Sequence, residues 1–167
     1  GFMEPLESTS LHLIQYGILR LLALLPDAAM SPLLAREYNA QTSWEYELIR
    51  DFLILHYKAC DRDDSELWRY CAAMPIPDSL AERVEMFRDR GLLFQVGADE
   101  YFSQGSWMAV MMGQGLVPRA HNPLYGYQDL DRVAAGFEQI KQAWAATAEN
   151  LPAHEDYLKA NRMWADA

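Results

Sequence analysis

Four consecutive residues, Glu7-Ser8-Thr9-Ser10, join one carboxylate to three hydroxyls directly ahead of a run of apolar residues at helical spacing. The first turn of a helix leaves backbone N–H groups without partners and carries the positive end of the helix dipole, so it is a natural place for an anion. The same residue types are also the preferred helix caps. Ser8 or Thr9 accepting a bond from the first turn, with Glu7 as an ordinary dipole partner, is the simpler account of the stretch. Residue types alone leave both open.

Other reactive side chains group less tellingly. His56 and Cys60 stand at i and i+4, a spacing that can hold a metal, but no third ligand accompanies them at a recognisable spacing. Asp61, Asp63 and Asp64 lack the glycine and terminal glutamate of a calcium loop and read as a solvated turn. No metal site is expected. His12, one turn into the first helix, either touches a ligand at the helix start or packs within the fold, and packing is the simpler reading. Met30, Met74, Met86, Met108, Met111 and Met112 read as core filler.

The elements that must position these groups are helices. Leu11, Ile14, Ile18, Leu21, Leu22 and Leu25 follow helical spacing from Ser8 to Leu24, and Pro26 ends that helix. Ser31-Pro32 opens a long helix reaching about Ala59. Ser65 starts a short one to about Cys71, and Asp78 or Ser79 caps the next, with Glu82 completing a capping box and Gly91 closing it. Residues 92 to 102 are expected to hold two short strands around Gly97-Ala98-Asp99. Helices over Ser106 to Gln114, Leu130 to Glu149 and Ala153 to Ala165 follow. The expected fold class is mainly α-helical.

Composition narrows the function classes. With 167 residues, 51% of them apolar, and 5 Trp, 9 Tyr and 6 Phe, the chain is long and apolar enough for a real core. Asp and Glu outnumber Lys and Arg 24 to 14, and the formal charge of -10 argues against nucleic acid and against an anionic membrane surface. The apolar run from Ile18 to Leu25 is broken by Arg20 and is too short to span a bilayer. Cys60 and Cys71 read as reduced core thiols of a cytoplasmic protein.

The stretch Gly1-Phe2-Met3-Glu4-Pro5-Leu6-Glu7-Ser8-Thr9 closely resembles the Gly-Phe-x-Glu-Pro-Leu-Glu-Ser-Thr motif of the flavin-dependent tryptophan halogenases. Weaker similarity continues through His56-Tyr57, Arg62-Asp63-Asp64-Ser65 with Trp68, Met111 to Pro118, and His154 to Leu158, in the family's order and spacing. The resemblance implies an enzyme in which reduced FAD, supplied by a separate flavin reductase, and oxygen turn chloride or bromide into a hypohalous species. That species halogenates an aromatic small molecule.

By the same resemblance Glu7 and Ser8 are the catalytic positions. Glu7 lies beside the substrate ring and orients the electrophile or takes the ring proton, while Ser8 links the flavin side to the substrate side. Thr9 and Ser10 match the pair whose backbone amides hold halide, with Ser10 replacing the commoner glycine. Leu11 matches a position whose backbone meets the flavin.

The opening in mid-motif leads us to expect the C-terminal part of a flavin monooxygenase-like α/β halogenase. Residues 1–25 would then end the FAD and halide module, and 26–167 would form a helical substrate-binding module. The family's glycine-rich fingerprint, its Trp-x-Trp-x-Ile-Pro segment and its catalytic lysine belong to the upstream FAD-binding part and do not occur here, so this stretch alone is expected to be inactive. Lys58, Lys141 and Lys159 match no active-site position.

The substrate clamp departs from the family pattern. Tyr101-Phe102 takes the place of the family's aromatic pair, with Phe102 where tryptophan is usual, and the preceding Phe94 to Glu100 is short and lacks the tyrosine pair. The resemblance therefore implies substrate contacts from Glu7, Tyr101 and Phe102 to an indole-like aromatic rather than free tryptophan. Trp107 either lines that site or fills the core. A flavin-dependent aromatic hydroxylase and a non-catalytic helical binding module remain the alternatives.

Overall fold

The computed structural model describes residues 3–28, 30–94 and 100–161. Every regular element among them is helical, and they divide into two compact units, Gly1–Asn122 and Pro123–Ala167. The first unit holds α1 (Ser10–Ala23), α2 (Pro32–Lys58), α3 (Glu66–Ala73), α4 (Asp78–Arg90) and α5 (Gln104–Gly113). The second holds a short 3-10 turn (Pro123–Tyr127), α6 (Leu130–Asn150) and α7 (His154–Ala160). The expected final helix reached Ala165; its last residues lie outside the described ones.

Helix α2 is the spine of the first unit, because α1, α3, α4 and α5 all pack on it. Its residues Ile49, Phe52, Leu53 and Leu55 are buried, and they meet Leu80, Val84 and Phe87 of α4 and Trp107 and Met111 of α5. Each such side chain, fully buried, contributes about 1.5–3 kcal/mol from apolar transfer. Two buried polar ties fix the helix positions. Arg20 of α1 reaches Gln41, Thr42 and the buried Glu45 of α2. Glu100 accepts from Arg83 Nη1 at 2.5 Å and from Trp107 Nε1 at 3.0 Å, while the Arg83 guanidinium lies over the Trp107 ring. Trp107 is thus a core aromatic, 2% exposed.

Several local expectations are met. Ser65 caps α3 through the Trp68 N–H, and Gly91 ends α4 in the left-handed conformation at φ 68°. Asp129 caps α6 through the Arg132 N–H, a cap the sequence reading did not name. Others are corrected. Helix α4 begins after Pro77 with no side-chain cap, so the capping box does not form. Ser79 instead donates to the buried Asp51 of α2 at 2.5 Å, so its side chain is turned to a long-range partner and caps no first-turn N–H. The described residues of the expected strand pair, 92–94 and 100–102, form no strand; Gly97, Ala98 and Asp99 lie outside the described residues. The Leu93 carbonyl accepts from the Gln104 side chain, and Phe102 turns its ring into the helical core. Helix α5 starts two residues before the expected Ser106, because Ser103 supplies the cap.

Candidate functional site

The segment ahead of α1 folds as a tight turn. The Ser8 N–H donates to the Pro5 carbonyl at 3.2 Å, and the Leu6 N–H donates to Glu4 Oε2 at 2.8 Å. Proline at position 5 presets one turn dihedral. Ser8 itself sits at φ 52°, in the left-handed region that non-glycine residues enter at a cost of about 1–3 kcal/mol. Its hydroxyl faces the Pro5 carbonyl at 3.4 Å, not the helix.

Thr9 is the N-cap residue of α1 by position, yet its side chain bonds no helix N–H. The residue is fully buried, and Thr9 Oγ1 has no hydrogen-bond partner. Side-chain capping, the simpler of the two sequence readings, is therefore not what these hydroxyls do. A buried hydroxyl without a partner costs about 1–3 kcal/mol. Here it stands beside the first-turn N–H groups, which by helix geometry lack intrahelical acceptors. Ser10 is half-buried at the start of α1, and Leu11 is 71% exposed. First-turn N–H groups of this kind are a natural partner for an anion.

Glu7 is tied to α2. Its Oε1 lies 3.0 Å from His56 Nε2, and both side chains are largely shielded. His56 Nδ1 lies 2.8 Å from the Phe52 carbonyl one turn back. The neighbouring Tyr57 donates to Glu4 Oε1 at 2.7 Å. That hydrogen bond, with burial and the Glu4 charge, raises the Tyr57 phenol above its ordinary range. Sequence reasoning placed His56 beside Cys60 as a possible metal pair and did not foresee either tie. The adjacent His-Tyr pair was visible, but its partners lie far away along the chain.

The aromatic residues form a continuous series. Tyr101, 44% exposed, packs against His12 at 3.8 Å between centroids with the rings tilted by 35°, and Phe102, buried, stacks on Phe52 at 3.9 Å. Phe52 in turn meets the His56 ring edge-on at 4.8 Å. One phenyl ring thus joins the Tyr101-Phe102 pair to the group that holds Glu7. His12 packs within the fold, its Nε2 lying 2.8 Å from Glu45 Oε1. Among the described residues no group of three or more His, Cys, Asp or Glu side chains is arranged to hold a metal. Lys58 donates to the Ala72 and Met74 carbonyls at the end of α3. No helix among the described residues is long and apolar enough to cross a membrane.

The family model for tryptophan halogenases matches residues 1–129, and the chain belongs to that family. Among solved structures it is similar to a flavin-dependent halogenase from Xanthomonas campestris, with 47% identity over 96% of this chain and 32% of that one, at a TM-score of 0.88. A flavin-dependent halogenase from Brevundimonas sp. BAL3 is 38% identical over 96% of this chain and 32% of that one, also at 0.88. A 7-chloro-L-tryptophan 6-halogenase of Kutzneria sp. (strain 744) is 30% identical over 97% of this chain and 32% of its own length. The chain spans about a third of the length of the relatives it matches.

Proposed function

We propose that this chain supplies the halide-binding turn and the substrate module of a flavin-dependent halogenase acting on an indole-like aromatic. The observation that carries the reading is the buried, unpartnered Thr9 hydroxyl at the start of α1, next to a carboxylate held ready on Glu7. Residues 1–25 complete an FAD and halide module whose larger part lies upstream in the same protein, and residues 26–167 form the substrate side. The outward apolar residues of α1, among them Leu11, Ile14, Ile18 and Leu22, supply a surface for that upstream part. Reduced FAD from a separate reductase provides, with oxygen, the oxidising equivalent that halide needs.

The residues of this chain then have distinct tasks. Backbone N–H groups at Thr9 and Ser10 hold chloride or bromide, and the Leu11 backbone borders the flavin. Ser8, in its left-handed conformation, links the flavin side to the substrate side. Glu7 takes the proton from the ring carbon that has gained halogen, which restores aromaticity. Tyr101 offers a stacking face, with Phe102 supporting it from the core. The test uses the full-length protein with FAD, a flavin reductase, nicotinamide cofactor and bromide, and a panel of indoles, phenols and tryptophan. Brominated indole with untouched tryptophan, seen by the bromine isotope doublet, is the expected result. Oxygenated products would move the reading to a hydroxylase.

A further inference from the structure

Glu7 sits on a turn, where no helix or sheet fixes its side chain, and a free glutamate samples many rotamers. His56 lies in the last turns of α2, the most heavily packed helix of the unit. A backbone carbonyl only accepts, so the 2.8 Å contact with the Phe52 carbonyl requires the hydrogen to be on His56 Nδ1. The T-shaped contact with the Phe52 ring fixes the imidazole plane. The other ring nitrogen, Nε2, lies 3.0 Å from Glu7 Oε1, within hydrogen-bond reach. With Oε1 held in this way, Oε2 is the oxygen left for a reacting ring. The next residue of the same helix, Tyr57, ties Glu4 in parallel, so α2 grips the turn at two carboxylates.

From this geometry we infer that His56 is the positioning residue for Glu7, locking one carboxylate oxygen and aiming the other at the substrate. The inference rests on the role proposed for Glu7. Its test compares His56→Leu, His56→Gln and Glu7→Gln, alone and combined, in the full-length protein with bromide and an accepted indole. A misplaced reacting group costs on the order of 100-fold, so His56→Leu should lower kcat for bromination by about 10- to 100-fold. The KM for the indole and the rate of flavin reoxidation should stay within about twofold, a split that general loss of structure does not produce. His56→Gln, whose amide can donate to Oε1, should recover most of kcat. On the Glu7→Gln background, His56→Leu should add little further loss, because residues acting through one another are not additive.

Full kcat in His56→Leu overturns the inference, as does an equal loss on both backgrounds. Parallel loss of flavin reoxidation, or a His56→Gln no better than His56→Leu, also overturns it. Glu7→Gln retaining full bromination would instead remove the role of Glu7 itself, and the inference with it.

Discussion

Replacing Thr9 by valine tests the anion site through stability as well as turnover. The two side chains share a β-branched shape, and the backbone at Thr9, φ -73° and ψ -5°, suits both. The change removes a hydroxyl that is fully buried and unpartnered. Leaving such a group unsatisfied costs about 1–3 kcal/mol, so in halide-free buffer Thr9→Val should be the more stable protein, by about 1–2 kcal/mol once imperfect methyl packing is allowed for. For a cooperative unit of this size each kcal/mol moves the melting temperature by about 2–4 °C. Bromide should reverse the order. A hydrogen bond to a charged group is worth about 1.5–3 kcal/mol, so its loss weakens bromide binding at least about tenfold. The wild type gains RT ln(1 + [L]/Kd) from bound halide, and Thr9→Val gains less at every concentration. The assay is a set of thermal melts over a bromide series at constant ionic strength held by sulfate. A Thr9→Val protein less stable without halide would show that the hydroxyl is satisfied. An unchanged response to bromide would show that the Thr9 hydroxyl is not a halide ligand.

Two further predictions concern the scaffold and the tie between α2 and the turn ahead of α1. Glu100→Leu strands Arg83, whose side chain is 12% exposed, and the Trp107 indole N–H. It should cost about 3–5 kcal/mol in denaturant unfolding, and Arg83→Leu added to it should restore part of that loss. The raised pKa of Tyr57 means that its phenol hydrogen bond to Glu4 contributes fully below the unfolded value of about 10 and is lost as pH rises through the higher folded value. Stability should therefore fall more steeply above about pH 10 in the wild type than in Tyr57→Phe, measured by melts from pH 9 upward.

The helical architecture was legible because its signals are local. Proline at positions 26 and 32, serine at 65 and glycine at 91 act within one turn of where they stand, and the helices begin or end beside them. The errors came where a distant partner won. Ser79 gave up a local cap for Asp51, and the stretch around Leu93 and Phe102 traded strand pairing for the Gln104 side chain and the Phe52 ring. The candidate site divides in the same way. Glu7, Ser8, Thr9 and Ser10 lie in one contiguous motif and can be read directly. The grip of His56 and Tyr57 on that motif joins residues as much as 53 positions apart, as Tyr57 and Glu4 are, and no spacing rule reaches so far. The cap reading of Thr9 failed for a different reason: only burial shows that its hydroxyl has no partner.

The most direct test of the account is to measure flavin reoxidation and bromination together in wild type and Glu7→Gln of the full-length protein. The substitution keeps the side chain's size and removes the carboxylate that would accept the ring proton. Bromination lower by about 100-fold or more, with flavin reoxidation nearly unchanged, is the predicted outcome. Equal loss of both rates, or full bromination in Glu7→Gln, would contradict the placement of Glu7 on the substrate side.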